Sequence, residues 1–198
     1  MSDSPVDKTR RNLVVATATV GGAAAVGAAV PFVASMTPSE RAKALGAPVE
    51  ADVSALKPGE LQILEWRGKP VWVFRRTPEM IAGIKKSDER VADPASDVTL
   101  QPEYAKNETR SIKPELAVLV GVCSHLGCSP QFKGPDAKGE MGADWEGGFY
   151  CPCHGSKFDL AGRVYKGVPA PVNLTVPPYE FLSDDKLVIG EDKSTKGA

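Results

Sequence analysis

All four cysteines and both histidines of this 198-residue chain fall in two short boxes, Cys123-Ser-His125-Leu-Gly-Cys128 and Cys151-Pro-Cys153-His154-Gly-Ser156. No thiol or imidazole is left over for another purpose. Two Cys/His pairs on two loops are what a [2Fe-2S] centre needs when one iron takes two thiolates and the other two imidazoles. Two cysteines with two histidines also satisfy zinc, and the same residues include enough cysteine for two structural disulfides. The residues by themselves leave both readings open. Four cysteines are few for a disulfide scaffold, and their clustering favours a metal site.

The flanks extend the pattern. Ser111-Ile-Lys-Pro-Glu-Leu-Ala-Val-Leu-Val-Gly-Val122 leads into the first box. Phe158-Asp-Leu-Ala-Gly-Arg163, Pro169-Ala-Pro171 and Asn173-Leu-Thr-Val-Pro177 follow the second. In wording and order the chain resembles the Rieske iron–sulfur proteins, and within them the subunit of the ubiquinol–cytochrome c reductase (cytochrome bc) complex. Residues 76–108 carry the least of this resemblance. Ring-hydroxylating oxygenase components share the cluster but lack the second cysteine pair.

The resemblance implies one Rieske-type [2Fe-2S] cluster. Cys123 and Cys151 match the thiolate ligands of its inner iron, and His125 and His154 the imidazole ligands of its outer, quinol-facing iron. Cys128 and Cys153 match a disulfide tying the two loops together. Ser156 matches a serine whose hydroxyl donates to a bridging sulfide. Phe158 departs from the pattern: many relatives carry tyrosine there, donating to a ligand sulfur. Leu126 matches an apolar tip residue that packs into the quinol pocket of cytochrome b, and Gly127 and Pro169 belong to the cluster's surround. Segments 129–150 and 167–171 are longer than the commonest versions, which bears on the shape of that surround.

The implied function is an electron-transfer subunit, active only in the assembled quinol–cytochrome c reductase. It takes an electron, coupled to a proton, from ubiquinol at the cytochrome b site and passes it to cytochrome c1. The implied complex translocates protons and is a homodimer of heterotrimers. Charge counting explains the histidines. Two ferric ions, two sulfides and two thiolates sum to zero with neutral imidazoles, whereas four thiolates would leave a dianion that is harder to reduce.

Leu13 to Val33 runs without a charge, and about 20 such residues cross a bilayer as a helix. Lys8, Arg10 and Arg11 stand before it, placing the N-terminus on the cytoplasmic side. Thr9-Arg10-Arg11-Asn12-Leu13-Val14 looks like a twin-arginine export signal, a route for domains folded around a cofactor. Ala42-Lys43-Ala44 offers a cleavage site, but the apolar run exceeds a signal-peptide core, so a retained anchor is expected. Gly21, Gly22 and Gly27 would let the span lie close to a partner helix. A net charge of −1 gives no broad pull toward nucleic acid.

The expected organisation is a cytoplasmic N-terminus over 1–12, an anchor over 13–35, a flexible neck over 36–48 and a periplasmic domain over 49–198. The setting is a bacterial inner membrane, crossed once. Seventeen prolines and nineteen glycines favour a β-rich, turn-rich domain over a helical one. Leu61–Trp66 and Pro70–Arg75 read as a hairpin, and Thr77–Lys86 as a capped helix. Residues 87–110 read as loop, with Lys85, Lys86, Asp88 and Glu89 on a solvated face. Leu116–Cys123 reads as a buried strand delivering the first box. Lys157–Leu160 with Arg163–Tyr165 reads as a second hairpin. Val172–Val176, Tyr179–Leu182 and Lys186–Ile189 read as closing strands. The fold class is mainly β: stacked antiparallel sheets with a cluster-binding subdomain over 115–168, behind one transmembrane helix. Trp66, Trp72 and Trp145 read as packing residues.

Overall fold

The computed structural model describes residues 7–98 and 101–192. Residues 1–44 and 45–198 form two separate compact units.

In the first unit, α1 (Lys8–Ser35) is one helix of 28 residues, about 42 Å long. Asp7 caps it, its carboxylate accepting from the Thr9 and Arg10 amides. No residue of α1 is buried within the chain, and the helix is long and apolar enough to cross a membrane. The neck expected over 36–48 is helical in part, since α2 spans Glu40–Gly46.

The second unit holds three antiparallel sheets of three strands. The hairpin of β2 (Leu61–Trp66) and β3 (Lys69–Arg75) is present, and β3 also pairs with β4 (Leu116–Val120). Every residue of β4 is buried. A second sheet places β6 (Gly148–Cys151) between β5 (Gln131–Lys133) and β7 (Ser156–Asp159). The third places β9 (Lys186–Ile189) between β1 (Val49–Asp52) and β8 (Tyr179–Phe181). α3 (Pro78–Lys86) starts at Thr77, whose hydroxyl accepts from the Met80 amide, and its buried face is Met80, Gly83 and Ile84.

Aromatic contacts bind the first two sheets. Trp72 of β3 stacks on Phe149 of β6 at 4.7 Å, and Phe74 meets Phe132 of β5 at 4.8 Å. This continuous core also takes in Cys123, Cys151 and Phe158. Trp145 is buried too, in a smaller cluster with Met141 and Tyr165.

Three expectations need correction. Val172–Val176 forms no strand. Prolines at 169, 171, 177 and 178 flank it and stop a ladder from running on past either end. Its carbonyls are used singly instead, Thr175 accepting from the Val120 amide at 2.8 Å. The second hairpin is a strand with an irregular return limb, which pairs with it as a single bridge, Phe158–Val164, and not as a ladder. The strand into the first box stops at Val120. There the Gly121 amide turns to the Pro70 carbonyl, and a Cβ on Gly121 would lie 2.2 Å from the Trp72 ring.

Candidate metal centre

The two boxes fold into matching loops. In the first, the Gly127 amide donates to the Cys123 carbonyl at 3.0 Å; in the second, the Gly155 amide donates to the Cys151 carbonyl at 2.9 Å. Both glycines have left-handed backbones, φ 84° and 79°, which an L side chain resists. The first loop leaves β4 and is closed by the Cys123 amide on the Cys128 carbonyl at 2.7 Å. The second is the turn between β6 and β7, where Cys151 pairs with Ser156.

A disulfide joins Cys128 to Cys153 across the loops, over a sequence separation of 25. Closing such a loop restricts the unfolded chain by about 3 kcal/mol in the chain-entropy account. Cys123 and Cys151 stay free and buried. The sulfurs of Cys128, Cys151 and Cys153 lie within 4.8 Å of one another, but two of them are spent in the disulfide. Burial pushes the Cys151 thiol above its ordinary range, and the adjoining Cys123 thiol adds to this, while the Cys153 and His154 amides at its sulfur pull it down. Those amides await a thiolate, the form a bound metal selects.

His125 and His154 meet edge to face, ring centroids 4.7 Å apart and planes at 89°. His154 is exposed and His125 half-buried. The two free thiols thus adjoin each other, and the two imidazoles adjoin each other, on the two loops that the disulfide joins. This donor set suits a [2Fe-2S] group with mixed ligation.

The remaining expected site residues divide. Leu126 is 71% exposed at the loop tip, and Gly127 and Pro169 are exposed as well. Ser156 is fully buried, and its hydroxyl oxygen accepts from the Ala170 amide at 3.0 Å, leaving its own hydrogen free to donate. Phe158 is fully buried on the same strand face as Ser156. From the first box, the Ser124 hydroxyl donates to the Val172 carbonyl at 2.6 Å. The 169–172 segment is thus tied to both boxes through Ala170 and Val172, residues that no side-chain chemistry marks in the sequence.

Sequence reasoning also missed three buried arginines, Arg76, Arg110 and Arg163, at 2%, 0% and 1% exposure. Asp88, placed on a solvated face, instead pairs with Arg163 at 2.7 Å. One signal was legible: Asp159 and Arg163 are four residues apart, and they form a buried ion pair at 2.8 Å.

Comparison with known proteins gives the family. Residues 47–180 match the Rieske [2Fe-2S] domain, and residues 1–39 the ubiquinol–cytochrome c reductase Fe–S subunit TAT signal. The iron–sulfur subunit of ubiquinol–cytochrome c reductase from Allochromatium vinosum is 56% identical, covering 98% of this chain and 95% of that protein. The subunit of the same name from Blastochloris viridis is 42% identical over 96% of this chain and 97% of its own length. A chain from a solved hyperthermophilic respiratory complex III is 29% identical, with a TM-score of 0.46, covering 88% of this chain and 98% of that one.

The fold and the two boxes are those of a Rieske [2Fe-2S] protein, an electron carrier. Within that class, the chain belongs to the family of iron–sulfur electron-transfer subunits of ubiquinol–cytochrome c reductase. It is anchored to the membrane through its N-terminal helix and twin-arginine signal.

Proposed function

We propose that Cys123 and Cys151 hold one iron of the cluster as thiolates and that His125 and His154 hold the other through neutral imidazoles. The observation that carries this is the pairing of the other two cysteines, Cys128 with Cys153, which leaves two buried thiols on the same two loops as two imidazoles whose rings lie 4.7 Å apart. The bound cluster supplies one-electron acceptance. The Cys153 and His154 amides would steady the Cys151 thiolate, and Ser156 would offer its hydroxyl hydrogen to the bound cluster. The exposed His154 presents its ring to a quinol hydroxyl, so an electron and a proton leave the quinol together. Leu126 gives the tip an apolar surface for the quinol pocket of cytochrome b. The electron then passes to cytochrome c1.

The span over 13–35 crosses the inner membrane once, with Lys8, Arg10 and Arg11 holding the N-terminus on the cytoplasmic side. Residues 36–48 tether the periplasmic domain, in which 115–168 form the cluster-binding part. The domain's disulfide suits that oxidising side.

The test is EPR of the reduced protein in its membranes, with iron and sulfide analysis. The expected result is the low-average-g signal of mixed His/Cys ligation, with two irons and two sulfides per chain. Zinc without iron or sulfide after native purification would refute the ligand assignment. The purified subunit alone should carry electrons but not oxidise quinol.

A further inference from the structure

The turn that ends β7 is held by three arginines, one on each of three successive residues. Arg163 Nε donates to the Asp159 carboxylate at 2.8 Å. Arg76 Nε donates to the Leu160 carbonyl at 3.0 Å. Arg110 Nη1 donates to the Ala161 carbonyl at 3.0 Å. The turn is tight: Asp159 Oδ1 accepts from the Ala161 and Arg163 amides, and the Gly162 amide donates to the Asp159 carbonyl.

Two of the three cations in this layer, Arg76 and Arg110, have no carboxylate in direct contact among the described residues. Asp159 is the one carboxylate of the three-arginine layer that is fully buried, and it serves Arg163. Asp88, 41% exposed, serves Arg163 as well. Arg76 spends its other donors on the Thr109 and Pro114 carbonyls and the Ser111 hydroxyl. Arg110 Nη2 donates to the Leu174 carbonyl and the Gln101 amide oxygen, and its buried Nε has no hydrogen-bond partner among the described residues. Asp159 acts on Arg76 and Arg110 as well, and Asp93 on Arg110, but only through space. Burial lowers both Arg76 and Arg110 to about 10, so both are cations at neutral pH. Burying a cation without an ion-pair partner is unfavourable by several kcal/mol, and neutral acceptors recover part of that.

The position of this layer gives the charge something to act on. β7 runs from Ser156, opposite Cys151, to Asp159, opposite Gly148. Three residues of strand span about 10 Å. Positive charge at that range, inside the protein, favours the more negative, reduced form of a cluster at the boxes.

We propose that Arg76 and Arg110 are positioning residues for the cluster: they hold the turn behind β7, and their unpaired buried charge raises the cluster's reduction potential. This rests on the ligand set proposed above.

Gln101→Glu tests it. The change is nearly isosteric, keeps an acceptor for Arg110 Nη2 and supplies the carboxylate that this cation lacks. Asp88→Asn makes the opposite change at a partly exposed position. Both are read by redox titration of the cluster EPR signal in the native membrane complex, with thermal unfolding alongside. Gln101→Glu is expected to be as stable as wild type but to lower the potential. At about 10–15 Å and an effective dielectric of about 20, the reduction equilibrium falls roughly tenfold. Asp88→Asn is expected to raise the potential, by less because solvent screens it. Arginines that only brace the turn would give a Gln101→Glu protein of altered stability and unaltered potential, and that outcome overturns the proposal. Should Gln101→Glu fail to fold, an unaltered potential in loaded Asp88→Asn overturns it equally. A wild-type protein without a mixed-ligand cluster signal would refute the ligand set instead, so the two failures are distinct.

Discussion

Single residues decide how strongly the centre holds its electron. Phe158 lies fully buried two residues along β7 from Ser156, in the same core as Cys123 and Cys151. A phenylalanine cannot donate, so on the proposed ligand set position 158 gives a ligand sulfur no hydrogen bond, where the family resemblance implies a tyrosine that does. Such a bond stabilises the more negative, reduced cluster more than the oxidised one. Phe158→Tyr is therefore expected to raise the midpoint potential by about 30–60 mV, taking about 1 kcal/mol for one hydrogen bond and a one-electron couple. The added oxygen enters a filled space, so stability should fall by about 1–3 kcal/mol. A redox titration alongside thermal unfolding measures both. An unchanged potential in a folded, loaded mutant would mean that the ring edge does not reach a sulfur.

At the scale of elements, the β6–β7 hairpin sets the geometry of the second box, and it depends on how closely its strands approach. A Cβ on Gly148 would lie 2.0 Å from the Phe158 carbonyl oxygen. That neighbour is backbone, so no rotamer change relieves the clash, and φ is 152° besides. Gly148→Ala should destabilise the domain by at least about 3 kcal/mol and release iron, seen as lost cluster absorbance and a lower unfolding midpoint. Gly139, in the short helix Lys138–Met141, is the contrast. A Cβ there meets nothing within 4 Å, and Gly139→Ala should retain the cluster and gain about 0.5–1 kcal/mol. Equal loss of iron in both variants would mean that the close approach is not what holds the hairpin.

The whole molecule joins a membrane anchor carrying a twin-arginine signal to a Rieske [2Fe-2S] domain. Arg10 and Arg11 lie in the first turns of α1, inside the segment matching a twin-arginine signal. Replacing both by lysine preserves the positive charge but loses the planar guanidinium forks. Arg10-Arg11→Lys-Lys should therefore leave the protein made but untranslocated. In protease-accessibility measurements on spheroplasts the domain should become protected, with membrane-bound subunit falling at least about tenfold. Normal accessibility of the double mutant from outside would show that export does not need the arginine pair. Intact mass of the membrane-bound subunit should include residues before Leu13, and a mature N-terminus at Leu45 would contradict a retained anchor.

Much of the architecture was legible because it is written in local chemistry. The 61–75 hairpin, the Thr77-capped helix, the uncharged span and the box donors depend on side-chain period, capping and functional groups within a few residues of one another. The absence of a strand at 172–176 was partly legible, since its flanking prolines stop a ladder from running on past either end. Other features could not be read this way. Four cysteines allow three pairings, and only the approach of the two loops joins Cys128 to Cys153. Ser156 receives its amide from Ala170, Ser124 finds the Val172 carbonyl, and Arg76 reaches Leu160 across 84 positions of sequence. The sequence alone determined which atoms are available to bind metal and donate charge. The tertiary structure decided which of them meet, because a hydrogen bond or a disulfide is made only at contact distance, and the closure of distant segments sets that distance.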